Sequence, residues 1–341
     1  MRRPHAAAGV AVLLLLFAVV TPSSHSWGGN DAPHNQAKSS RLASLRTYAP
    51  GDFHQSLLDR LSGGLAQRVP YRMAADSQGR ILVTDPVLSV VHVFDTRQGK
   101  RWQMKGDRRH RLDTPVYIAV DAEDNIYVTD SQVGKVFVFD ANGKYRRVIG
   151  SIKGGEGYFK RPTGIAVDSA AQRIYVTDTL RNKIFMMDMQ GSVLQVIGKT
   201  GTGDGEFNYP TELRLNGSEI AVVDAMNFRV QVLDRSGTFK YAIGRIGDGT
   251  GWIFRPKGIG YDSESHLYIV DGEWGVVQVF DDQGRLLYYF GGKGTGAGQF
   301  QLPTGLQIDK QDRIYVVDSF NRRVQVFHYY GITTADGRTQ P

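Results

Sequence analysis

The chain has 341 residues, 41 Lys and Arg against 34 Asp and Glu, a formal charge of +7, 40 glycines and no cysteine. Without a thiol there is no disulfide framework, thiolate zinc site, iron–sulfur cluster or cysteine nucleophile. With 41% hydrophobic and 11% aromatic residues the body of the chain is not disordered, and the excess of glycine points to a turn-rich, β-rich protein.

Residues 1–26 read as a secretory signal peptide. Arg2 and Arg3 precede an apolar run from Ala6 to Val20, and Ser24 and Ser26 supply small residues for cleavage. The alternative is an uncleaved anchor, but fifteen apolar residues fall short of the roughly 20 that a membrane helix needs. Loss of Arg2 and Arg3 takes the charge from +7 to +5, one unit for each arginine. The mature chain is thus expected to work outside the cytoplasm, either periplasmic or extracellular. Residues 27–40 read as a flexible segment. Near 43–48 lies a strand-like stretch, and near 53–62 a short helix opened by Asp52-Phe53-His54-Gln55 and closed by Gly63-Gly64. That helix is expected to plug the fold; docking a partner is the alternative.

From residue 70 onward the sequence repeats. Six apolar runs end in an aspartate, Asp85, Asp130, Asp178, Asp224, Asp271 and Asp318, at intervals of 45 to 48 residues. A proline precedes each by 14 to 16 residues: Pro70, Pro115, Pro162, Pro210, Pro256 and Pro303. Within a copy, Ile165–Val167 and Ile174–Val176 suit buried inner strands, Val230–Leu233 alternates as a third strand, and Val193–Ile197 supplies an outer one. Turn signals such as Asn142-Gly143 separate them. Four antiparallel strands per period describe a propeller blade. The fold class expected is therefore all-β, a six-bladed β-propeller of four-stranded blades spanning 41–335. The ring is closed by the N-terminal strand near 43–48, which completes blade six, and 336–341 form a tail.

The glycine-rich segments Gly198–Phe207 before Pro210 and Gly294–Phe300 before Pro303 resemble NHL repeats, as do Asn227-Phe228-Arg229-Val230 and Asn321-Arg322-Arg323-Val324. The resemblance is to the NHL-repeat family, in its exported type, and implies a six-bladed propeller. NHL propellers serve as protein- and RNA-binding platforms, extracellular sensors and occasional lyases, so the resemblance leaves function open. The ubiquitin-ligase role of some members does not carry over, since no cysteine can build a zinc-binding RING module.

Several residues carry candidate chemistry. Gly198-Lys199-Thr200 lacks the first glycine and the following helix of a phosphate-binding loop, and reads as a blade connector. The six repeat aspartates occur in every blade, with Lys135, Lys183, Arg229 and Arg323 five residues on in four of them, and read as structural turn anchors. His54, His92, His110, His266 and His328 share no metal-ligand spacing. No catalytic residue, metal or cofactor is expected. Inner strands begin and second strands end on one face. There Arg72, Tyr117 and Glu212 replace glycine, and Glu273, Trp274, Phe320 and Arg322 are large or charged residues in tight turns. These seven are the expected ligand- or partner-binding face, with Arg72 and Trp274 foremost. A second patch, Lys100, Arg101, Lys105, Arg108, Arg109 and Arg111, suits a polyanion, although charged outer strands also serve to block edge-to-edge association.

The expected function is an exported, non-catalytic scaffold or sensor that binds a protein or a cell-envelope ligand, with no nucleic-acid partner. Two alternatives stand beside it: a metal-dependent lyase or hydrolase with a site in the central channel, and polyanion binding through Lys100–Arg111.

Overall fold

Strand propensity and position in the repeat decide how deeply each strand lies. The computed structural model describes residues 69–328 apart from 96, 153, 155 and 246–250. Blade one is Met73–Ala75, Ile81–Asp85, Val90–Asp95 and Lys100–Met104; blade two is Pro115–Val120, Ile126–Asp130, Lys135–Phe139 and Tyr145–Ile149. Blade three is Pro162–Asp168, Arg173–Asp178, Lys183–Asp188 and Val193–Ile197; blade four is Pro210–Asn216, Glu219–Asp224, Arg229–Asp234 and Phe239–Ile243. Blade five is Pro256–Tyr261, Leu267–Asp271, Val276–Phe280 and Leu286–Gly291, and blade six is Pro303–Ile308, Arg313–Asp318 and Arg323–His328. Each blade is an antiparallel meander in chain order. The protein is an all-β six-bladed propeller with four-stranded antiparallel blades; blade six shows three strands among the described residues.

The β-branched second strands, such as Ile126–Asp130, are buried on both faces, whereas the outer strand Lys100–Met104 is mostly exposed. Both faces of a blade are apolar because both meet a neighbour. Alternation sends Ile126 and Val128 toward blade one and Tyr127 toward blade three. The core is therefore divided into six sectors, one between each pair of neighbouring blades. The last joins Tyr315 and Val317 of blade six to Met73 and Val83 of blade one, so the ring shuts by packing. Ser319 Oγ adds a 2.7 Å hydrogen bond to the Pro70 carbonyl across that seam. The signal peptide, the strand near 43–48, the helix near 53–62 and the tail all lie outside the described residues.

Two connectors carry their own plugs. Phe207 and Phe300 end the glycine-rich segments and are fully buried in the sectors between blades three and four and between blades five and six. Phe207→Ala and Phe300→Ala should each cost about 3–5 kcal/mol, the usual penalty for emptying a buried aromatic site. Urea unfolding of the two variants checks this.

Candidate binding face

Every second strand ends in a buried carboxylate that organises the loops around it. Asp130 accepts from the backbone N–H groups of Gln132 and Val133 in its own turn, and of Asp113 and Thr114 in the connector arriving from blade one. Asp271 does the same for Glu273 and Trp274, and for Phe254 and Arg255. Burial pushes the Asp130 carboxyl up from its ordinary value against those backbone hydrogen bonds. In blades four and six the anchor gains an arginine. Arg229 Nε lies 2.9 Å from Asp224 and Arg323 Nε 2.8 Å from Asp318. The same guanidiniums donate to the Gly203 and Gly296 carbonyls, which explains the glycine-rich segments as arginine-held connectors. Blade one differs, with His92 Nε2 3.2 Å from Asp85. In blade three Arg181, not Lys183, sits near Asp178, at 3.6 Å.

The three residues that replace the repeat glycine meet at the axis. Tyr117 Oη donates to Glu212 Oε1 at 2.6 Å, and Arg72 Nε faces Glu212 Oε2 at 3.3 Å. Those two last atoms make an ion pair by distance, but their alignment falls short of a hydrogen bond. Arg214 completes the group: its Nη2 is 3.3 Å from Glu212 Oε1 and donates to the Leu306 carbonyl, while its Nε donates to that of Ile259. Arg72 reaches across to the Lys257 carbonyl at 3.2 Å. Tyr117 lies near both guanidiniums, 5.7 Å from Arg72 and 5.4 Å from Arg214, and burial drives its hydroxyl pKa well up. Blades one, two, four, five and six are thereby joined across the centre. Where glycine is kept, the next blade's backbone comes close: a Cβ on Gly258 would lie 2.7 Å from Leu306 N.

This corrects the expectation for three of the seven face residues. Arg72, Tyr117 and Glu212 are 4%, 2% and 0% exposed. They are axial ties, not surface anchors, because their polar groups find one another before they find solvent. Arg214 carries the signal that the reading of the sequence passed over. It stands four residues after its proline, where three other blades have Ala74, Ala119 and Ala166.

The other four residues lie on the surface end. Phe320 is 55% exposed. Arg322 is exposed and takes a left-handed backbone, φ 55°, as Phe228 does at 56° in blade four. Such a conformation costs a bulky side chain about 1 kcal/mol. Glu273 and Trp274 are half-buried; Glu273 holds Arg255 at 3.6 Å and Lys293 at 3.3 Å. Trp274 belongs to a small aromatic cluster: its ring packs edge-on against Phe254 at 6.3 Å, Phe254 lies 6.0 Å from Phe228, and Lys293 Nζ sits 5.7 Å from the Trp274 ring. Two residues past the repeat aspartate, Val87, Leu180, Met226 and Phe320 are all exposed. An apolar tip thus recurs on the same face in four blades, and Phe254 and Ile152 add to it from the connectors.

The basic segment divides: Lys100 and Arg101 start the outer strand beside Asp95 and Phe94, at the end of the blade away from Asp85, and only the residues after Met104 run back toward this face. Lys100 and Arg101 are exposed on the outer strand of blade one. Gly106 and Arg111 then bridge to close a loop whose tip Asp107 caps through the N–H groups of Arg109 and His110. His110 stacks on Tyr145 of blade two at 4.5 Å, and buried Leu112 anchors the exit. Lys105, Arg108, Arg109 and Arg111 are left exposed. Among the described residues no group of three or more His, Asp or Glu is placed to hold a metal ion.

Sequence comparison agrees with this architecture. The model of a family described as 6-bladed beta-propeller (DUF5128) matches residues 116–176, 166–230 and 261–336. The chain belongs to this six-bladed propeller family. No curated protein matches it by sequence. Among solved structures, the propeller is similar to virginiamycin B lyase from Staphylococcus aureus, in its catalytically inactive form with quinupristin. That pair shows 13% identity over 80% of this chain and 84% of the other, with a TM-score of 0.58. It is also similar to a gluconolactonase from Xanthomonas campestris, 17% identical over 76% and 86% of the two chains, TM-score 0.58. A chain of the nidogen/laminin complex aligns at 22% identity over 65% and 80%, TM-score 0.52. At these identities the likenesses show the fold alone.

Because the axial tie buries its charges, Glu212→Ala would leave Arg72 and Arg214 facing each other without their anion. The expected loss is about 3–5 kcal/mol, read by chemical denaturation. A loss below about 1 kcal/mol would mean that the two arginines are held by the backbone carbonyls alone.

Proposed function

We propose that this propeller is an exported, non-catalytic binding platform, and that the face gathered by its proline loops and post-aspartate turns docks a protein or a cell-envelope ligand. The observation that carries this reading is the set of apolar turn tips, Val87, Leu180, Met226 and Phe320, repeated at one position on one face beside Phe254 and Arg322. Exposed apolar side chains grouped on one face of a soluble protein mark interaction sites, and aromatic and arginine residues make the strongest interface anchors. A rigid ring presents these groups with little ordering cost on binding. The resemblance to exported NHL sensors and the likeness to a chain of the nidogen/laminin complex are in keeping with a binding role. Export rests on the N-terminal signal pattern of residues 1–26.

A channel enzyme, a metal-dependent lyase or hydrolase, is supported less well. The groups of the axial tie are two arginines, a tyrosine and one carboxylate, each already engaged by the others or by backbone carbonyls. Polyanion binding keeps a specific observation in its favour, the capped loop that holds Lys105, Arg108, Arg109 and Arg111 outward on the same face.

Two experiments separate these readings. Crosslinking in the native envelope should recover a reproducible partner with the wild-type chain and at least tenfold less with Phe254→Ser plus Phe320→Ser; equal recovery would overturn the platform reading. On a sulfated matrix, charge reversal at Arg108, Arg109 and Arg111 should abolish retention and flatten its steep salt dependence if the basic loop binds polyanions. Unchanged retention would end that alternative.

A further inference from the structure

Lys257 is the charged group at the axis whose place the rest of the structure does not explain. It follows Pro256 at the start of blade five's inner strand, where other blades carry Tyr71, Val116, Thr163, Thr211 and Thr304. Blade five makes room for it. One residue past the repeat aspartate, blades three and six place Thr179 and Ser319, whose hydroxyls clamp the Pro210 and Pro70 carbonyls of the next blade. Blade five has Gly272 there, and a Cβ on it would lie 2.9 Å from Lys257 Cγ. The lysine stem therefore beds against a glycine, in a gap made by dropping the hydroxyl.

The surroundings are cationic. Arg72 donates to the Lys257 carbonyl, and Arg255 lies close by; burial first, then the Arg255 and Arg72 charges, lower the Lys257 ammonium pKa to about 8. Asp271 opposes this, but its oxygens are occupied by the N–H groups of Phe254, Arg255, Glu273 and Trp274. Arg255 has Glu273, and Arg72 has Glu212. No hydrogen bond or ion pair reaches the Lys257 ammonium among the described residues. At the equivalent position of blade four, the Thr211 hydroxyl is likewise buried without a hydrogen-bond partner among them.

We propose that Lys257 is the seat for an anionic oxygen group, a carboxylate or a phosphate, of a ligand that arrives at the axial mouth of the binding face. Arg72 and Arg255 each have a carboxylate already, so the ammonium is the cation left to hold the anion. The close approach to Gly272 places the first carbons of the lysine stem, which removes part of the ordering that binding would otherwise need. An anion there also relieves a charge that is half-buried beside two like charges. This deepens the platform reading and rests on it for the identity of the face.

The test uses the mature chain, with citrate and inorganic phosphate as separate calorimetric probes at pH 6.5 and 9.5. The expected result is saturable binding of at least one probe at pH 6.5. It should weaken at least tenfold in Lys257→Met, stay within a few-fold in Lys257→Arg, and weaken at pH 9.5, where the amine is mostly neutral. Citrate alone points to a carboxylate ligand and phosphate alone to a phosphate one. NMR of the carbon-13-methylated amine should show its pKa rising when the probe binds. Failure of both probes, or equal binding by Lys257→Met, overturns the proposal. Lys257→Met should unfold at no lower temperature than wild type, so lost binding is not lost folding. If the native partner is never captured while Lys257-dependent binding persists, the platform reading falls and the anion seat stands.

Discussion

The buried carboxylate at the end of each second strand is the interaction on which the working face depends. Backbone N–H groups at a strand end have no ladder partner, and burying them unpaired costs about 1–3 kcal/mol each. One aspartate meets up to four of them at once, two in its own turn and two in the connector from the preceding blade, as Asp130 and Asp271 show. Because the second pair belongs to a chain segment that has just left another blade, the same charge fixes both a turn and the joint between blades. The turn tips can then vary freely. Val87, Leu180, Met226, Glu273 and Phe320 stand at one position past the repeat aspartate and differ in what they present, blade four shaping its turn as a short 3-10 helix.

The axis shows the opposite logic. Repetition there would place six identical side chains in mutual contact, which suits glycine and little else. Three blades keep glycine, and three break the pattern together, with Arg72, Tyr117 and Glu212 forming one bonded group that Arg214 extends to blades five and six. A lone carboxylate or guanidinium would not survive burial at this depth; each is present because its partner is. Departures from a repeat can thus be coupled in space although they stand far apart in sequence. The same holds for Lys257 and Gly272, where a lysine appears at one phase and the side chain that would collide with it is missing at another.

Much of this was legible in the residues. The strand count, the blade boundaries, the anchoring role of the repeat aspartates and the connector role of the glycine-rich segments follow from offsets that depend on local chemistry alone: a proline to start, an aspartate to end, a glycine to turn. The interest of Arg72, Tyr117 and Glu212 was legible too, as breaks in the pattern. Their burial was not, because offset within a repeat places a residue along a blade and says nothing of what crosses the axis to meet it. Arg214 and Lys257 went unremarked for a related reason. A cation on an inner strand looks like an ordinary solvated residue until the neighbouring blades are set around it.

The span of Arg214 has an evolutionary consequence. Repeat proteins of this kind grow and shrink by duplicating or losing whole units, since neighbours interact through similar surfaces. Here one guanidinium from blade four satisfies backbone carbonyls of blades five and six, and shares a carboxylate with an arginine from blade one. Removing or inserting a blade would change the distance across the ring and strand these charges in the interior. The sectors between blades are interchangeable in principle, but the centre counts them, and it admits six.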